Sequence, residues 1–299
     1  MQEKFCRWLS APDPWINQNV AHKAHHDGTA TWFTQGDIFK SWKSTGSLMW
    51  IHGLRLYISS MFLPLLITSC TVSWIRKERP MVFAPLDFYF LGGLTLFPSS
   101  SIIEDIMGMC STGLASLAFF YFDFRDVGKQ DARSLLSSLL IQLSLVSEKC
   151  SEIISSLYST HGNGSREPRE DVLLESLKDM LKLPGQGELY IVVDALDECP
   201  NVSGFPTPRE QVLKVVQELV ELRLPHVNFC ITSRPEIDIR DALDGLAAHN
   251  LSLHEQAGQN RDIFDYITSV VSSDPKMLRW REEDKQLVIK TLMEKAGGM

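Results

Sequence analysis

The chain has 299 residues, enough for one large α/β domain or two small ones. Hydrophobic residues make up 44% and charged residues 22%, an ordinary balance for a water-soluble globular protein. A net charge of −8 gives no support to general nucleic-acid binding. The six scattered cysteines form no CxxC pair, which excludes a disulfide framework or a zinc ribbon and points to reduced thiols in a cytoplasmic compartment.

Residues 4–9 read as the last turns of a helix, broken by Ser10-Ala11-Pro12-Asp13-Pro14. His22, His25 and His26 fall at i, i+3 and i+4, a spacing open to a metal site or to solvated surface imidazoles. Gly28 to Trp42 reads as a turn and a short aromatic helix whose rings pack onto the following domain. Gly46 to Gly53 is a short strand running into a glycine. The segment from Leu54 to Pro98 has a different texture: apolar and aromatic, without helical or strand period, and interrupted by prolines. Within it, Tyr57 to Ile75 carries no charge and is followed by Arg76, Lys77 and Arg79. Length and basic flank fit a membrane span, whereas Pro64 and the many hydroxyl residues fit an irregular insertion or translated non-coding sequence.

Regular pattern returns at Ser99. An amphipathic helix is expected there, with Ser101 or a neighbouring serine as cap and Glu104 three residues on. Leu114 to Phe124 reads as a buried strand, and Ala132 to Val146, Ile153 to Tyr158 and Asp171 to Leu183 as helices. Leu189 to Cys199 follows, five apolar or aromatic residues leading to Asp194, Asp197 and Glu198. Such a run reads as a strand buried on both faces of a parallel sheet. Three carboxylates are not buried unpaired, so the strand ends where they meet water, a cation or a ligand. The pattern looks like a Walker B strand, which presents magnesium to nucleotide phosphates; an ordinary core strand ending in a polar turn is the alternative. Helix 209–222, strand 227–235 ending in Thr232-Ser233-Arg234, helices 237–246, 261–271 and 282–299, and an edge strand at 251–253 complete the chain. Strands alternating with helices predict an α/β fold with a mostly parallel sheet.

Taken together, the chain resembles the NACHT domain of fungal NOD-like receptors, the nephrocystin-3-like N-terminal group of STAND P-loop NTPases. The resemblance rests on Trp8 to Asp13, Gly28 to Phe33, Gly46 to Gly53, Ser101-Ile102-Ile103, Phe120 to Phe124, Asp194 to Glu198 and Thr232 to Pro235. It implies a P-loop NTPase-like sheet flanked by helices, with a linker over 1–45, a core over 46–255 and the start of a helical region over 256–299. It implies ATP or GTP with magnesium, a signalling role tied to fungal heterokaryon incompatibility, and self-association through the core. Carried across, Asp194 holds the metal, Asp197 and Glu198 orient or activate the attacking water, and Gly53 and Arg234 meet the nucleotide. Arg234 is equally open to a salt bridge beside a helix.

The departure from the family lies at the phosphate loop. No Gly-Lys-Ser/Thr occurs anywhere, and 45 residues, 54–98, stand where the family has a short loop. Nucleotide binding is therefore expected to be defective, and a retained intron or shifted reading frame is one origin for the segment. The family's effector and repeat domains are expected to be absent. Two other functions remain open: a nucleotide-independent interaction module, and a protein anchored in a membrane by residues 57–75.

Overall fold

A computed structural model describes residues 2–24, 30–53, 97–202, 204–253, 257–273 and 277–297. The segment expected to be an irregular insertion lies outside these residues over 54–96, as do the apolar run 57–75, His25, His26 and Gly28. Among the described residues no helix is long and apolar enough to cross a membrane.

Five strands form one sheet in the order β2-β3-β4-β1-β5, with every neighbouring pair parallel. They are β1 (Leu48–His52), β2 (Ala115–Tyr121), β3 (Glu188–Asp194), β4 (Val227–Ser233) and β5 (His249–Ser252). The helices, in chain order, are α1 (Gln2–Leu9), α2 (Trp15–Ala24), α3 (Thr31–Thr34), α4 (Asp37–Lys43) and α5 (Phe97–Ser111). Then come α6 (Ala132–Leu143), α7 (Glu148–Thr160), α8 (Glu170–Leu181), α9 (Pro208–Val220), α10 (Ile237–Leu243), α11 (Ala257–Ser273) and α12 (Glu282–Gly297).

Side chains alternate across a strand, so a strand apolar at every position must be covered on both sides. The core divides accordingly. Leu189, Ile191 and Val193 of β3 join Leu48 and Trp50 of β1, and Leu135, Leu139, Leu177, Val212 and Leu219 of α6, α8 and α9, on one face. Tyr190 and Val192 join Met49 and Ile51, Phe33, Phe39 and Trp42 of α3 and α4, and Ile102, Ile103 and Ile106 of α5, on the other. Thus the aromatics of residues 31–42 do pack against the sheet. The fully buried Trp42 also donates its Nε1–H to the carbonyls of Ser47 (3.1 Å) and Phe229 (2.9 Å), fixing the entry to β1. Gly46 makes that entry possible: its φ of +57° is left-handed, and a Cβ there would lie 2.1 Å from the Pro225 carbonyl oxygen.

One expectation changes at α5. The helix starts at Phe97, so Ser101 lies inside it rather than capping it. Ser99 and Ser100 are buried, and their hydroxyls bond to groups elsewhere in the fold. At the other end of the chain, α11 and α12 enclose a small core of Ile267, Val271, Met277 and Ile289.

Candidate functional site

The carboxyl ends of parallel strands form the natural ligand edge of an α/β sheet, because the loops there are free to vary over a rigid support. Register places Asp194 level with Tyr121, and Val193 level with Ile231. His52 is level with Ser233, so Gly53 and Arg234 each follow directly on neighbouring strand ends. Gly53 donates its N–H to the Ser233 carbonyl at 3.4 Å. Asp194, Gly53 and Arg234 are therefore brought to one edge by β3, β1 and β4.

Asp194 is buried, and its Oδ1 accepts hydrogen bonds from Ser99 Oγ and Thr232 Oγ1, each at 2.5 Å. Thr232 Oγ1 in turn accepts from the Ala195 N–H at 3.0 Å. Ala195 takes a left-handed conformation, φ 54°, which turns the chain sharply out of β3 into the short 3-10 turn Leu196–Glu198. Such a residue outside the glycines marks a backbone held by its surroundings.

The two acids of that turn diverge. Asp197 faces β4: it accepts the Arg234 backbone N–H at 3.0 Å and pairs with Arg234 Nε at 3.1 Å. Its side chain is buried while that of Arg234 is partly exposed. Glu198 faces β2, where Oε2 accepts the Phe124 N–H at 3.1 Å. The salt bridge left open as the alternative for Arg234 thus exists, and its partner is one of the candidate site acids.

Behind β2, Asp123 is clamped by Arg125 through its N–H, Nε and Nη2, each at 2.9 Å. Burial pushes the Asp123 carboxyl up, but the Arg125 hydrogen bonds and charge outweigh it and hold it below the usual carboxylate range. Gln18 of α2 joins the same region, donating to Ser100 Oγ (3.2 Å) and accepting from Tyr121 OH (2.5 Å). Sequence reasoning assigned no role to Ser99, Thr232, Gln18 or Arg209. Only Arg209 carried a signal, a cation in the first turn of a helix, where the dipole disfavours it.

A magnesium ion takes hard oxygen ligands and few protein carboxylates. One carboxylate with two hydroxyls against it fits that donor set. Among the described residues no cluster of histidine, cysteine and acidic side chains offers an alternative metal site, and His22 pairs with Glu104 at 2.5 Å.

Residues 97–234 match the family described as Nephrocystin 3, N-terminal. Over this segment the chain is similar to the nephrocystin 3 N-terminal family. The segment contains β2, β3 and β4 with Asp194, Asp197, Glu198 and Arg234, and it begins at the first residue of α5. No curated protein matches the chain. Among solved structures, the chain is similar to one in the structure of Drosophila ORC bound to AT-rich DNA and Cdc6. The identity is 11% and the TM-score 0.31, over 98% of this chain and 41% of that one. The chain spans less than half the length of that relative, and the likeness is too distant to speak to fold or function.

Proposed function

We propose that the chain is a NACHT-type, STAND-class nucleotide switch core whose nucleotide binding is impaired by the loss of its phosphate loop. The observation that carries this reading is the meeting of Asp194, Gly53 and the Asp197–Arg234 pair at adjacent strand ends of a parallel sheet. A magnesium nucleotide, when bound, supplies the phosphoryl group and the cation. In this reading Asp194 holds the metal directly or through water, with Ser99 and Thr232 setting the carboxylate's orientation. Asp197 and Glu198 sit on one rigid turn, so they are suited to orienting a water between β2 and β4. Arg234, partly exposed and paired, exchanges its carboxylate for an incoming phosphate. Gly53 allows close approach of backbone. The signalling role, self-association through the core and a cytoplasmic setting belong to the same proposal, by resemblance to the family.

The sequence has no Gly-Lys-Ser/Thr, the pattern whose backbone N–H groups and lysine hold phosphates at a helix N-terminus. Each charge-assisted hydrogen bond contributes roughly 1.5–3 kcal/mol, so losing several weakens binding by orders of magnitude. A fluorescent-nucleotide titration tests this. The chain as it stands is expected to bind ATP and GTP weakly, and a chain with a short Gly-Lys-Ser loop in place of residues 54–96 is expected to bind with magnesium dependence. Equal weak binding by both refutes the reading.

A second reading, a nucleotide-independent interaction module, is favoured by the internal pairing of Asp194 with two hydroxyls and of Asp197 with Arg234. Self-association unchanged by either nucleotide in the loop-bearing chain is its expected result.

A further inference from the structure

Arg209 stands at the second position of α9, where exposed N–H groups make the helix end positive. Its side chain is 6% exposed. A buried guanidinium in such a place needs several acceptors, and it has four from two separate loops. Nε donates to the Cys199 carbonyl at 2.9 Å and Nη2 to the Asp197 carbonyl at 2.6 Å. Nη1 donates to Glu236 Oε2 and reaches Asp238 Oδ2 at 3.4 Å. Asn201 adds a bond from the first loop to the second, Nδ2 to Asp238 Oδ2 at 3.0 Å.

These bonds close a circuit. Arg209 holds the backbone of Asp197; the Asp197 carboxylate holds Arg234; and Arg234 is two residues from Glu236, which returns to Arg209. The loops behind β3 and β4 therefore cannot separate without breaking the Arg209 fork. A lysine keeps the charge but has one nitrogen, which cannot reach two carbonyls and two carboxylates spread around a planar group.

We propose that Arg209 is a positioning residue: it fixes the spacing of the Asp197–Arg234 pair, and so sets how readily Arg234 leaves its carboxylate for a phosphate. The phosphate part of this statement rests on the function proposed above; the positioning part does not. A purely stabilising Arg209 would change the unfolding temperature alone. A positioning Arg209 also changes the state of Arg234 in protein that stays folded.

The test is NMR of the full chain labelled with 15N-arginine, with the Arg234 backbone N–H signal assigned by its loss in Arg234→Lys. In folded Arg209→Lys, the Arg234 backbone N–H, which donates to Asp197 Oδ1 at 3.0 Å, is expected to exchange with solvent about tenfold faster than in the parent, as one charge-assisted bond's worth of constraint is lost. An unchanged exchange rate in folded Arg209→Lys overturns the proposal. If that variant does not fold, Glu236→Gln, which weakens one arm of the fork, decides: faster exchange supports the proposal and an unchanged rate overturns it. No nucleotide is present in these measurements. Failure of the loop-bearing chain to bind nucleotide would therefore count against the switch reading and not against the positioning of Arg234.

Discussion

Asp123 shows how a single carboxylate near the strand ends responds to its surroundings. Its native state is held charged by Arg125 against the opposing effect of burial, so its folded pKa lies below the unfolded value. A depressed acid contributes stability above the unfolded pKa, about 3.9, and loses it as pH falls through the folded value. The parent is thus expected to unfold at a higher temperature than Asp123→Asn at pH 7, with the gap narrowing below about pH 4. A gap that persists unchanged in acid would show that the Arg125 clamp does not depend on charge. Cys199 makes a different residue-scale case. Its Sγ donates to the Gln130 carbonyl at 3.1 Å, and burial pushes its thiol up to about 12 despite the nearby Arg209 charge. Cys199 is expected to be inert to thiol reagents at pH 8 in the native protein and to react on unfolding, which a timed labelling experiment followed by mass spectrometry reads directly. Of the candidate site residues, Asp194, Asp197 and Glu198 are visible in the sequence, because acids directly behind a buried apolar run must meet water, a cation or a ligand. Ser99 and Thr232 were invisible there, since a hydroxyl has the same local meaning whether it caps a helix or meets a carboxylate far along the chain.

At the scale of elements, β3 was legible because both its faces are buried, so its sequence is an unbroken apolar run whose alternate residues divide between two cores. The start of α5 was not legible. Ser101 and Glu104 have the spacing of a capping pattern, yet α5 already includes Phe97, and Ser99 and Ser100 engage their hydroxyls in tertiary bonds. Where local and tertiary demands agree, the boundary is sharp. α9 begins with Thr207 accepting from the Glu210 N–H at 3.2 Å, Glu210 accepting from the Thr207 N–H at 2.7 Å, and Pro208 at the first helical position. Thr207→Ala is expected to lower stability by about 1 kcal/mol. Because α9 also seats Arg209, the loss should appear in urea unfolding without a change in the native-state thiol labelling of Cys199. Faster labelling at that cysteine would mean that the cap also holds the loop behind β3.

Across the whole molecule, the sheet does two things at once. Its faces supply the stability, and its carboxyl edge collects residues separated by as many as 181 positions in the chain, from Gly53 to Arg234. Fold class was readable from the alternation of strands and helices. The strand order was not, because a parallel register is set by which crossovers pack, and no local pattern encodes that. Residues 54–96 fall between β1 and α5. Their sequence, apolar and without lysine beside glycine, is the reason the proposed nucleotide site is expected to bind weakly.

The proposed function makes the carboxyl edge of β3, β4 and β1 a magnesium-nucleotide site without a Gly-Lys-Ser/Thr phosphate loop. The most direct measurement is a fluorescent-nucleotide titration, with and without magnesium, of the chain carrying a Gly-Lys-Ser loop in place of residues 54–96, and of the same chain with Asp194→Asn. Circular dichroism and thermal unfolding check that both are folded. The account predicts that the substitution removes the magnesium dependence and raises the Kd by about tenfold or more, because a dication loses a charged oxygen ligand. Equal, magnesium-dependent affinity in the two chains would contradict it.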